Sequence, residues 1–171
     1  FRFTRDSLGR RDSTFLPNIY AAKGGRTTFL YGGDSTEQWR YKYVKNIGFE
    51  NAIWGASDAV LPDFAMIGKI DSILVADKSD SLNKTKRLIA FTTHDTKFPL
   101  PGFANPYSGS ADSIDEVYSK YLMATLKNVA NLVRKHSDVR FIVQGDHEPI
   151  LSPRSFQERF YKRWAPFVIM N

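Results

Sequence analysis

The sequence predicts an α/β fold: a three-layer sandwich in which a mostly parallel or mixed sheet carries helices on both faces. Three observations predict it. Strand-length runs of β-branched and aromatic residues alternate with segments of helical periodicity along the 171 residues. The runs at 86–94 and 139–145 are apolar without interruption at their centres, as strands buried on both faces are. Polar clusters follow three of the runs, the place where open α/β sheets gather ligands. No linker, internal repeat or low-complexity tract divides the chain, so one domain covering 1–171 is expected.

Each element has its own signal. TFLPNIYAAK (14–23) reads as a short helix that Gly24 and Gly25 stop. RTTFLYGG (26–33) is a strand that runs into a glycine turn. DSTEQWRYKYVKNIG (34–48) predicts a helix capped by Asp34 or Ser35, with Glu37 in its first turn and Gly48 at its end. FENAIW (49–54) is a short strand. From Asp58, residues Leu61, Phe64, Ile67 and Leu74 recur at helical spacing with Ile70 and Ile73 beside them, and Pro62 suits a first turn. The polar stretch 77–86 is a surface loop, and KRLIAFTTH (86–94) is the buried strand after it. Residues 98–112 are rich in Pro, Gly and Ser and form a loop. Ser113 and Glu116 spell a capping box before a long amphipathic helix, marked by Val117, Tyr121, Leu122, Leu126, Val129 and Val133, that ends near His136. VRFIVQG (139–145) is a buried strand, 152–163 a helix and APFVIM (165–170) a last strand.

Composition removes several classes of function. With no cysteine there are no disulfides, thiolate metal sites or cysteine nucleophiles. A chain 42% hydrophobic and 14% aromatic is not disordered. The net charge of +6 favours anionic partners such as phosphate or sulfate esters, an acidic lipid surface or nucleic acid. The basic residues are spread out apart from RDSLGRR (5–11) and RFYKRW (159–164), and no nucleic-acid-binding motif accompanies them, so nucleic acid is not the expected partner. No stretch approaches the ~20 apolar residues of a membrane span, and no signal peptide is visible. The chain opens at Phe1 rather than Met and stops at Asn171 behind an apolar run, which reads as a piece of a longer protein whose other segments carry any signal or anchor.

The three strand ends are GGDSTEQWR (32–40), TTHDTKFPLP (92–101) and GDHEP (145–149), and two of the three histidines, His94 and His147, stand in them. Asp146 and His147 pair a carboxylate with an imidazole, N/O donors that suit Zn²⁺ or Mn²⁺, although two adjacent residues do not complete a site. Equally, Asp146 caps a turn and His147 is a loop residue. For His94 the plainer reading is a histidine hydrogen-bonded in the core beside a turn-forming Asp95. Trp39 and Arg40 also suit an ordinary amphipathic helix face. His136, at a helix C-terminus, reads as structural. Gly32-Gly33 lacks the surrounding pattern of a phosphate-binding loop.

LPNIYAAKGGRTTFLYGGD, KNIGFENAIWGASD, LIAFTTHDTKFPLP and VRFIVQGDHEP, in that order over about residues 14–150, resemble the sulfatase-like branch of the alkaline phosphatase superfamily. The likeness is greatest to its membrane-anchored phosphoglycerol transferases, the lipoteichoic acid synthases. The resemblance implies that Asp146 and His147 are metal ligands, serving Mn²⁺ in the synthases; whether Mn, Zn, Mg or Ca is the divalent metal here stays open. It implies that His94 contacts the substrate phosphate or sulfate, that Arg40 binds the substrate headgroup and that Trp39 is an aromatic beside it. The implied chemistry is transfer of a phospholipid-derived headgroup through a covalent phospho-enzyme, with sulfuric ester hydrolysis, or a non-catalytic module that binds anionic lipid or glycan, as alternatives. The implied location is extracytoplasmic, at the periplasmic or cell-surface side of an anchoring membrane. The chain departs from the family in one respect above all. The family's first acidic metal ligand and its Thr or Ser nucleophile precede the segment at 14–17 by tens of residues, and Thr4, Ser7 and Ser13 follow no strand. Both groups are therefore expected upstream of Phe1, and this piece alone is expected to be inactive. Glu148 stands where sulfatases carry a glycine after the Asp-His pair.

Overall fold

The computed structural model describes residues 13–80, 86–95, 111–145, 154–159 and 166–170. The chain divides into two compact units, Phe1–His94 and Asp95–Asn171.

The first unit is built around one strand. Its elements are α1 (Leu16–Ala22), β1 (Arg26–Asp34), a 3-10 turn (Glu37–Trp39), α2 (Arg40–Asn46), β2 (Asn51–Gly55), α3 (Asp63–Ser79) and β3 (Arg87–Thr92). The strands form a parallel sheet in the order β2-β1-β3. As the central strand, β1 is buried along almost its whole length. Alternation of side chains along β1 gives the sheet two covered faces. On one face, Phe29 and Tyr31 join Val44, Ile47 and Phe49 in a cluster against which Phe15, Tyr43 and Trp54 pack. Phe29 lies 5.5 Å from the Phe49 ring and 5.3 Å from the Trp54 ring. Full burial of side chains of this size stabilises by roughly 1.5–3 kcal/mol each. On the other face, the Thr28 hydroxyl accepts a hydrogen bond from Arg87, whose guanidinium also donates to Asp77 of α3. There α3 buries Met66, Ile67 and Ile70. Helices therefore cover both faces of β1, as predicted.

Two glycines close the helices that frame β1. Gly24 has φ +75° after α1, and Gly48 has φ +105° after α2, backbone that L side chains rarely adopt. Around Gly48 the space is also full, since a β-carbon there would lie 2.2 Å from Asn18 Oδ1.

The expected helix over 34–48 is broken. A 3-10 turn occupies Glu37–Trp39, and α2 begins only at Arg40. Helix α3 continues to Ser79, beyond the predicted start of the surface loop. Phe64, one of the apolar residues that mark its helical spacing, is 64% exposed, because the buried stripe runs through Asp63, Met66, Ile67 and Ile70.

The second unit contains α4 (Ala111–Lys135), β4 (Phe141–Gln144), α5 (Arg154–Gln157) and β5 (Phe167–Met170). Helix α4 starts at Ala111, so Ser113 lies inside the helix and not at its cap. The acids of its first turns have another partner: Arg159 donates to both Asp112 and Asp115. That ion pair raises the already high pKa of the guanidinium. Ile114, Thr125 and Leu132 are the buried residues of α4, and His136 just beyond it is buried too, in keeping with a structural role. Strands β4 and β5 pair antiparallel, with Phe141 opposite Met170 and Gln144 opposite Phe167. The prediction of a buried strand at 139–145 is corrected here. Ile142 is 55% exposed and its partner Ile169 56%. An apolar run specifies a strand, but burial depends on what packs over it.

Candidate functional site at the strand ends

The register of the parallel sheet creates the site. Tyr31 of β1 stands beside Thr92 of β3, so Gly33 and His94, each two residues further on, emerge together at the carboxyl edge. The neighbouring backbone comes very close. Gly32 accepts a hydrogen bond from the Leu61 amide at 2.9 Å, and a β-carbon on Gly32 would lie 2.0 Å from the Leu61 carbonyl oxygen. A β-carbon on Gly55 would lie 1.8 Å from the Gly32 oxygen. Glycine at both positions lets the connection from β2 to α3 cross directly over the end of β1. Gly33 serves the side chains instead: a β-carbon there would meet Tyr31 Cε1 at 2.6 Å and both Glu37 Oε1 and His94 Cδ2 at 2.9 Å.

Tyr31 is the hub. It is fully buried, and its hydroxyl donates a 2.6 Å hydrogen bond to Glu37 Oε2. Burial, and after it that hydrogen bond, push the hydroxyl pKa far above its ordinary value, with the Arg40 charge acting the other way; the group is a neutral donor. The Arg40 guanidinium carbon lies 4.2 Å from the centre of the Tyr31 ring. The His94 ring lies 5.5 Å from the same ring, tilted by 55°. Backbone geometry fixes His94 as well: its amide donates at 2.7 Å to Asp63 Oδ1, a buried carboxylate in the first turn of α3. At the start of β1's exit, Asp34 accepts from the Thr36 amide at 2.6 Å and hydroxyl at 2.7 Å, which holds its carboxyl below the usual range.

Trp39 sits between the 3-10 turn and α2 at φ 61°, ψ 27°, the one described non-glycine residue in the left-handed region. Its ring is 50% exposed and carries the Lys42 ammonium 4.7 Å from its centre. A large aromatic side chain held exposed at a strained backbone position is a feature that packing alone does not call for.

Of the residues singled out in the sequence, Arg40 and His94 therefore meet on one aromatic ring, and Trp39 directly precedes Arg40. Asp63 holds the His94 amide, and Trp39 stands between the 3-10 turn and α2 rather than on a regular helix face. Asp146 and His147 lie outside the described residues, as does Glu148. Sequence reasoning missed Tyr31 as a hub, Glu37 as its partner and Asp63 as the anchor of the His94 backbone. Glu37 left a trace as an acid in a predicted first turn, and Asp63 as an acid directly after Pro62 at a helix start.

Among the described residues no three His, Asp or Glu side chains gather as metal ligands. The nearby carboxylates of Asp34, Glu37 and Asp63 are engaged by Thr36, Tyr31 and the His94 amide.

A central parallel strand with helices on both faces and a polar cluster at its carboxyl end makes an α/β fold, and its neighbours among solved structures are alkaline phosphatase-like and longer than this chain. The lipoteichoic acid synthase LtaP from Listeria monocytogenes superposes with a TM-score of 0.70, covering 99% of this chain and 48% of its own, at 14% identity. A protein in the alkaline phosphatase superfamily from Vibrio parahaemolyticus superposes with a TM-score of 0.56, covering 78% of this chain and 35% of its own, at 19% identity. This chain thus spans about half the length of the first of these proteins. At such identities the likeness establishes the shared fold. No protein-family profile matches the sequence, and no curated protein does.

Proposed function

We propose that this chain is the headgroup-binding part of an extracytoplasmic phosphotransferase of the sulfatase-like type, one that takes its headgroup from an anionic phospholipid. The observation that carries this reading is the convergence of Arg40 and His94 on the Tyr31 ring at the carboxyl edge of the sheet. A guanidinium offers paired N–H donors to two oxygens of a phosphate ester, and an imidazole beside it adds a further donor. Together they offset charge on non-bridging oxygens as the phosphorus is attacked. Trp39 supplies an exposed flat surface next to this anion site, suited to the carbon skeleton of a headgroup. The fold shared with a lipoteichoic acid synthase supports transfer over simple binding.

In this reading Asp146 and His147 would hold a divalent cation together with an acid contributed by sequence upstream of Phe1. Such a cation, when bound, polarises a phosphoryl oxygen and favours ionisation of a hydroxyl nucleophile. The nucleophile is an upstream Thr or Ser hydroxyl that attacks the lipid phosphorus: its O–P bond forms as the bond to diacylglycerol breaks, and the proton goes to the departing diacylglycerol oxygen. An acceptor hydroxyl then takes the headgroup phosphate and restores the enzyme hydroxyl. His94 and Arg40 hold the transferred group in place through both halves of that exchange.

The experiment uses the full-length protein with vesicles containing phosphatidylglycerol. His94→Ala is expected to lower turnover about 10²-fold or more, as removal of one transition-state donor does, with its thermal melt unchanged. Metal content measured in parallel should fall in the Asp146→Ala, His147→Ala double variant. Wild-type turnover in His94→Ala would remove the histidine from the mechanism, and equal metal content would remove the proposed ligands. Turnover on sulfate esters but not on lipid would redirect the assignment to sulfatase chemistry.

A further inference from the structure

The Tyr31 hydroxyl has no part in the binding just described, yet it makes a short hydrogen bond to the Glu37 carboxylate. Glu37 Oε2 accepts from that hydroxyl at 2.6 Å, and Glu37 Oε1 crowds the same point above Gly33 as the His94 ring edge. Arg40, three residues along, rests on the Tyr31 ring itself. A negative charge so near a guanidinium and an imidazole is a competitor for any incoming anion.

We propose that Tyr31 is a positioning residue that anchors the Glu37 carboxylate, so that it does not swing onto Arg40 and His94 and shut the anion out. The ring and the hydroxyl have separate tasks. The ring lies against Arg40 and His94, while the hydroxyl holds the acid. Gly33 belongs to the same device, since only a residue without a β-carbon leaves room for Tyr31, Glu37 and His94 to meet. The proposal rests on the anion-binding reading of Arg40 and His94, and its test separates the two.

Tyr31→Phe keeps the ring and removes only the anchor; as a near-isosteric change it leaves the core filled. Binding of inorganic phosphate to the full-length protein is measured by calorimetry, and the side-chain NMR signal of Arg40 is followed in the absence of phosphate. In Tyr31→Phe the freed carboxylate should weaken phosphate binding about tenfold, the effect of one ion pair of about 1.4 kcal/mol. The Arg40 signal should shift at the same time. Adding Glu37→Gln removes the competitor, so the double variant should bind phosphate within about twofold of wild type and return the Arg40 signal. A merely structural hydrogen bond predicts otherwise: a loss in Tyr31→Phe and no recovery in the double variant. Unrestored binding in the double variant, or unchanged binding and unchanged signal in Tyr31→Phe, overturns the proposal. If wild type binds no phosphate while the Arg40 signal still shifts in Tyr31→Phe and returns in the double variant, the anchoring stands and the anion reading alone falls.

Discussion

At Trp39 the backbone adopts a conformation that costs of order 1–3 kcal/mol for a residue with a β-carbon. The ring gains little in return from burial, being half exposed, and its contact with Lys42 is a surface cation–π pair worth about 0.5–1 kcal/mol. If the strain is retained for binding, glycine should relieve it while erasing the function. Trp39→Gly is expected to melt at or slightly above the wild-type temperature and to bind a soluble phosphate ester several-fold more weakly, by roughly 1 kcal/mol of lost aromatic contact. A variant that melts lower and binds normally would make Trp39 a structural prop. The neighbouring Arg40 shows the same division between backbone and side chain: it opens α2 as an ordinary helix former, while its guanidinium lies over the Tyr31 ring.

At the scale of elements, one carboxylate ties α3 to both β1 and β3. Asp77 accepts from Arg87 and, at 2.9 Å, from Arg26, the first residues of the two strands. The Arg87 hydrogen bond, reinforced by the charges of Arg87 and Arg26 and opposed by partial burial, holds the Asp77 carboxyl below its ordinary value. A carboxyl depressed in the folded state stabilises fully above its unfolded pKa, near 4, and that contribution is lost as pH falls through the folded value. Asp77→Asn should therefore cost about 1 kcal/mol at neutral pH and make unfolding less steeply dependent on pH below about 4, as followed by denaturant titrations. An unaltered acid profile with unaltered stability would make the bridge energetically idle. The order and type of these elements were readable from periodicity and glycine stops, and so was the meeting of the polar ends at 32–40 and 92–95, because parallel neighbours align their carboxyl ends. The break at Trp39 was hidden, since Glu37, Gln38 and Arg40 all favour helix. The exposure of Phe64 and of Ile142 was hidden too, because apolar character fixes the element but not which of its faces finds a partner. Tyr31 looked like one more strand residue; its role exists only through the register that brings His94 beside it.

At the scale of the molecule, the excess of 24 Lys and Arg over 18 Asp and Glu attracts anions wherever they approach. A diffuse field and a built site make different predictions, since deleting one of 24 positive charges barely alters the former. Among the described residues no helix is long and apolar enough to cross a membrane. The account stands or falls on whether the Tyr31 platform is where a phosphate ester binds. The most direct measurement is calorimetric titration of glycerol phosphate into the full-length protein, wild type beside Arg40→Ala, with thermal melting as a control. Binding weakened tenfold or more, about 1.4 kcal/mol or greater, in a variant that melts like wild type is the predicted result. Equal affinity in the two proteins would contradict it and leave the positive charge of this chain without a site.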